Sequence, residues 1–160
     1  MIGSLRRGCV VATVVVACPL PFPASSQRSH SASEFTRSVL TVDGLTVYLG
    51  VIPAEVLQGH PAMHGPTPSG VHRYHVVAAI FDTTSGARIT DAIVMARVSG
   101  LGLSGTEKAL EHMNVADAVT FGGFFDLPGA DLYAVRITVR RPGSREPPRA
   151  FDFKYDHRYR

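Results

Sequence analysis

The run "DLYAVRITVRR", Asp131 to Arg141, decides the fold class of this 160-residue chain. Tyr133, Val135, Ile137 and Val139 alternate with Ala134, Arg136, Thr138 and Arg140. A strand turns successive side chains to opposite faces, so this spacing predicts one face on a core and the other in water. The run "RAFDFKYDH" (149–157) repeats the pattern with Phe151, Phe153 and Tyr155. Between them "RPGSREPP" (141–148) carries the Pro and Gly of an exposed turn.

The same reading extends toward the N-terminus. "AVTFGGFFDL" (118–127) predicts a strand with a bulge at Gly122-Gly123. "RITDAIVMARVS" (88–99) aligns Ala92, Val94, Ala96 and Val98, and "YHVVAAIFD" (74–82) is apolar on both faces, as a central strand requires. "TRSVLTVDGLTVYLGVI" (36–52) is two runs around Asp43-Gly44, a hairpin signal, with Leu45, Val47, Leu49 and Val51 on one face. The segment 100–116, with "GTEKALEHMNV", fits either a helical turn that aligns Ala109 with Met113 or an irregular strand. The sum is an all-β, immunoglobulin-like antiparallel β-sandwich of seven to eight strands spanning residues 36–160.

Ahead of it, "MIGSLRR" and the apolar "GCVVATVVVACPL" read as an export signal over residues 1–26, closed by Pro19, Pro21 and Pro23. Two processing sites compete. Cleavage after "ASS" would begin the mature chain at Gln27, whereas "VVAC" resembles a lipobox ending at Cys18, which would be acylated. Residues 27–35 read as a flexible tether. The expected location is the periplasm or cell envelope, with a lipid anchor as the alternative. Both cysteines, Cys9 and Cys18, fall in the signal, so the domain has no disulfide and no thiolate ligand. The net charge of +3 includes Arg6 and Arg7, and no basic stripe marks a nucleic-acid surface.

"FDTTSGARITDAIV", "GADLYAVRITVRRPG" and the terminal "FDFKYDH" resemble small exported sandwich domains of the YtkA/FixH/CopC-like kind. Asp82, Ser85 and Gly86 carry a D-x-x-[TS]-G turn; Gly129, Tyr133 and Val135 carry a G-x-x-x-Y-x-[VI] strand. The resemblance covers roughly residues 70–157 and implies extracytoplasmic copper or iron handling. The long His/Met spacing of copper chaperones of the PCuAC type is not present.

The chemistry gathers in "HPAMHGPTPSGVHRYHVV", His60 to Val77, where four of the seven histidines stand beside a methionine. Imidazole binds late transition metals generally, and a thioether adds affinity mainly for Cu(I). His60, Met63 and His64 form H-x-x-M-H, and His72 with His75 forms H-x-x-H. Positions 72 and 75 differ by an odd number, so they can share an ion only if the strand begins after His72. His75 at the start of that strand is therefore the expected centre, with donors from His60, Met63, His64 or His72. His112 and Met113 in "EHM" are candidates for completing it, and His157 is a further donor. The implied cofactor is copper, as Cu(I) or Cu(II), with other late transition metals suiting the same donors.

No nucleophile elbow, H-E-x-x-H or phosphate-binding glycine motif is present, so an enzyme is not expected. The leading function is buffering, carriage or delivery of copper, with an envelope transporter or acceptor protein as partner. The rival is a non-metal interaction module docking through Tyr48, Phe124, Phe125 and Tyr159 as an apolar patch.

Overall fold

In the computed structural model, residues 38–58, 67–115, 117–129 and 131–158 are described. The segments read as an export signal and a tether, and the stretch carrying His60, Met63 and His64, lie outside the described residues. Nine strands follow in order: β1 (Val39–Val42), β2 (Leu45–Pro53), β3 (Arg73–Asp82), β4 (Ile93–Gly100), β5 (Thr106–Ala109), β6 (Glu111–Val115), β7 (Ala118–Asp126), β8 (Leu132–Arg140) and β9 (Arg149–Asp156). One short 3-10 turn, Ala54–Leu57, follows β2. The strands form a five-stranded sheet, β1-β2-β3-β7-β6, and a four-stranded sheet, β5-β4-β8-β9, antiparallel throughout. This is the immunoglobulin-like sandwich that the alternating runs require.

The strand count exceeds the expected seven to eight because the ambiguous segment 100–116 makes two strands, not a helical turn. β5 pairs with β4 and β6 with β7, so the chain changes sheets at Leu110, whose side chain is buried in the core. The bulge expected at Gly122-Gly123 does not form. β7 keeps one-to-one register with β3 through both glycines, Gly122 opposite Val77 and Gly123 opposite Val76.

Between the sheets lie Val47, Leu49, Val76, Ile80, Val94, Ala96, Phe121, Phe125, Val135, Ile137, Phe151 and Phe153. Each of the larger side chains contributes about 1.5–3 kcal/mol by leaving water. The hairpin at Asp43-Gly44 has positive φ at both residues (45° and 78°), the type I′ geometry that matches strand twist. After β3, the Asp82 carboxylate accepts from the Ser85 backbone N–H (2.8 Å), the Ser85 hydroxyl (2.8 Å) and the Thr84 N–H (3.1 Å). Gly86, at φ 69°, completes that turn. The D-x-x-[TS]-G pattern is thus a side-chain-closed turn.

At the far end of the sandwich Tyr133 donates to the Pro128 carbonyl (2.5 Å), a tyrosine corner that anchors the entry to β8. Burial pushes the Tyr133 phenol above its ordinary range. Beside it, His157 Nδ1 donates to the Gly129 carbonyl (2.7 Å), so in the neutral ring Nε2 accepts from the Tyr74 hydroxyl (2.5 Å). Tyr74 belongs to one sheet and His157 follows the last strand of the other, so this hydrogen bond joins the two layers.

Candidate metal centre

The side chains of β3 divide by parity. Tyr74, Val76, Ala78 and Ile80 enter the core, while Arg73, His75, Val77, Ala79 and Phe81 lie on the outer face of the sheet. An outer-face residue of a two-layer sandwich ordinarily meets water, yet His75 is 0% exposed. Its cross-strand partner Phe124 lies against the ring, centroids 4.6 Å apart and tilted by 31°.

Met113 reaches the same face from β6. It stands opposite Thr120, one pleat from Gly122, and is 3% exposed. Gly122, on the strand between β3 and β6, makes their meeting possible. A Cβ placed on Gly122 would lie 2.5 Å from Met113 Sδ, 2.6 Å from His75 Nε2 and 2.9 Å from His75 Cε1. An imidazole nitrogen and a thioether sulfur therefore point at one position above a bare backbone. Turning the ring by half exchanges Nε2 with Cε1 and still presents a nitrogen there. Imidazole nitrogen and thioether sulfur are donor types that suit a late transition metal, copper above all.

The other candidates are placed differently. His72 is exposed in the turn before β3, where its carbonyl accepts the Leu127 N–H (2.9 Å). The strand begins at Arg73, after His72, as a shared site requires, and His72 stays in the exposed turn ahead of it while His75 is buried on the strand. His112 is turned from Met113 by strand parity. Its ring lies edge-on to the core residue Phe121 and Nε2 bonds to the Thr90 carbonyl (2.9 Å). His157 is held at the sandwich end by Gly129 and Tyr74. His60, Met63 and His64 lie outside the described residues. Among the described residues no three His, Cys, Asp or Glu gather as an ion site.

Two residues gain a place that the sequence reading did not give them. Gly122 is the floor of the meeting point. Glu111 stands directly opposite Gly122, its side chain on the same outer face as Met113. The usable signal was parity: 111 and 113 share a face of a strand, whereas 112 and 113 do not.

The apolar patch of the rival reading is not assembled as a set. Phe125 is in the core, Phe124 lies on His75, and Tyr48 packs edge-on against Phe81 at 5.4 Å. Tyr159 lies outside the described residues.

Comparison with solved structures places the fold. The chain is similar to copper-reconstituted P19 of Campylobacter jejuni, with a TM-score of 0.59 at 11% identity, covering 74% of this chain and 92% of that one. The chain has the fold of P19. It is similar also to a copper-bound variant of FetP from uropathogenic Escherichia coli (TM-score 0.58, 12% identity, 74% and 93% covered). A DUF4426 family protein of Pseudomonas aeruginosa matches at TM-score 0.55 and 19% identity, over 74% and 91%. No protein-family model matches the chain, and no curated protein does. Among the described residues no helix is long and apolar enough to cross a membrane.

Proposed function

We propose that this protein is an exported copper-binding protein that holds its ion between His75 and Met113. The observation that carries the reading is the convergence of His75 Nε2 and Met113 Sδ over Gly122. The buried imidazole and the buried thioether, brought to one position on the outer face of the sheet, are together a soft donor pair suited to copper. The copper-bound neighbours of the same fold support it. The expression of FetP in the periplasm agrees with the export signal read at residues 1–26.

The sequence supplies further donors. His60, Met63 and His64 stand between Gln58 and Thr67, in the segment that leads from β2 toward His75, and each is a candidate third or fourth ligand. Glu111 is a candidate from the opposite side. Bound copper would be carried or buffered, and one ligand strand favours delivery. β6 is an edge strand, so Met113 stands at a margin that an acceptor protein can approach. Val71, Leu101 and Leu103 are exposed on loops at the sandwich end where β3 begins, and offer such a partner an apolar footing.

The test is titration of the untagged protein with Cu(I) and Cu(II), beside His75→Phe. Phenylalanine keeps a ring against Phe124 and removes both nitrogens. One copper per chain in the wild type and none in a folded His75→Phe is the expected result. Equal stoichiometric binding by the two proteins would overturn the assignment.

A further inference from the structure

We infer that the loop end of the sandwich docks on an uncharged lipid bilayer surface through Val56, Val71, Leu101 and Leu103. The inference goes beyond the copper reading and does not depend on it. These four side chains are 64%, 74%, 65% and 71% exposed, and among the described residues every other large apolar side chain is less than half exposed. Exposed apolar residues scattered singly are ordinary, whereas their gathering in one place marks an interaction site.

All four stand at one end of the fold. Val56 lies in the 3-10 turn after Pro53, which is opposite Tyr74 at the start of β3. Val71 lies in the turn ahead of β3, tied to the exit of β7 by the Leu127 N–H on the His72 carbonyl (2.9 Å). Leu101 follows β4 and donates its N–H to the Leu132 carbonyl at the start of β8 (3.1 Å). The Tyr74–His157 hydrogen bond joins these two groups of strand ends. Leu103 N–H donates to the Gly100 carbonyl (3.1 Å) and Gly102 stands at φ 77°, so both leucines are carried on an ordered turn. Holding them exposed there requires no further ordering on docking.

Three observations favour lipid over a protein partner. A stable protein interface takes roughly 20–30 residues a side, and four tips on three separate segments fall far short of that. A bilayer surface accepts scattered apolar tips between its headgroups. Second, Arg73 is paired with Asp126 (3.1 Å) and Arg158 with Asp156 (2.6 Å), so this end presents no basic surface for an anionic headgroup. Third, β1 runs from Val39 toward the Asp43-Gly44 hairpin at the opposite end, so the chain enters the domain from the loop end. The residues read as an export signal, with its lipidation alternative at Cys18, precede that entry. A single acyl chain binds a membrane only marginally, and apolar tips on the same side supply the second contact. An envelope transporter shares the bilayer, so the footing offered to an acceptor and the lipid contact use one end of the molecule.

The chain has no tryptophan, so a single introduced one reports its own position. Leu103→Trp and, in the exposed turn at the opposite end, Thr84→Trp are made in the full chain, with circular dichroism confirming each fold. Each is mixed with phosphatidylcholine vesicles, plain or with brominated acyl chains. Leu103→Trp emission is expected to shift to the blue and to fall at least about twofold on the brominated vesicles, while Thr84→Trp stays unchanged. Adding Leu101→Asp to Leu103→Trp is expected to reverse most of that quenching. Both variants carry the same N-terminal segment, so any anchoring by it acts on the two alike. No quenching at position 103, equal quenching at both positions, or quenching that Leu101→Asp leaves intact overturns the inference. So does a blue shift that grows with protein concentration without lipid, which reports a second copy on this end. A wild type that binds no copper would overturn the functional reading and leave the docking result standing.

Discussion

His75 on β3 and Met113 on β6 meet across a strand that separates them, above the backbone of Gly122. Neither residue is opposite the other in any strand pair. Each leans diagonally over the same glycine, so the contact depends on the sheet order β3-β7-β6 and on the absence of one side chain.

Met113→Leu keeps the volume of the side chain and removes its sulfur. Such a swap costs less than about 1.5 kcal/mol in folding. Cu(I) affinity should fall by at least about tenfold while Cu(II) affinity changes less, because the thioether favours the softer ion. Competition against a chromophoric Cu(I) chelator measures the first change. An unchanged Cu(I) affinity would place the sulfur outside the ligand set.

Copper binding should weaken on acidification, since a proton and the metal compete for the imidazole lone pair. Titrations at a series of pH values should show tighter binding toward neutral pH. The dependence should be lost along with the binding itself in His75→Phe. A pH-independent affinity in the wild type would count against imidazole ligation.

Tyr74→Phe should destabilise the fold without touching the metal. The substitution removes the hydroxyl that His157 Nε2 accepts from and leaves a buried acceptor unmatched. The loss should be about 1–3 kcal/mol by urea denaturation. Copper stoichiometry should stay at the wild-type value, because Tyr74 and His75 point to opposite faces.

The protein should lose stability as pH falls from about 4 toward 2. The Ser85 N–H, followed by the Ser85 hydroxyl, holds the Asp82 carboxyl below its ordinary range. The Arg158 guanidinium lowers Asp156 to about 2. Groups whose folded pKa is depressed stabilise the fold above their unfolded value, near 3.9, and that contribution disappears as pH falls through the folded value. Thermal melts of Asp82→Asn between pH 2 and 5 should show a shallower dependence than the wild type. Parallel curves would remove Asp82 from the account.

Much of the sandwich was legible because its strands alternate cleanly. Tyr133, Val135, Ile137 and Val139 all turn inward as their spacing demands, and the Asp43-Gly44 hairpin forms where those two residues stand. The segment 106–115 was not legible, since strands of four and five residues are too short to establish a period. Of the candidate ligands, His75 and Met113 were named from the sequence, but their meeting was hidden because it depends on which strand lies between them. His112 was linked to Met113 by adjacency in sequence, and parity separates them. Gly122 was misread as a bulge, because a glycine that makes room for a neighbour looks in sequence like one that bends a strand.

The alternation along β3 has a consequence for how this protein can change. Tyr74 and Val76 hold the layers together while His75 between them lies on the outer face against Phe124, so inward and outward duties are interleaved one residue at a time. Substitutions on the outer face can retune the centre with the interior untouched, which leaves the two free to diverge separately. Insertion or loss of a single residue within the strand would exchange the duties, carrying an imidazole into the oil and a tyrosine to the outer face.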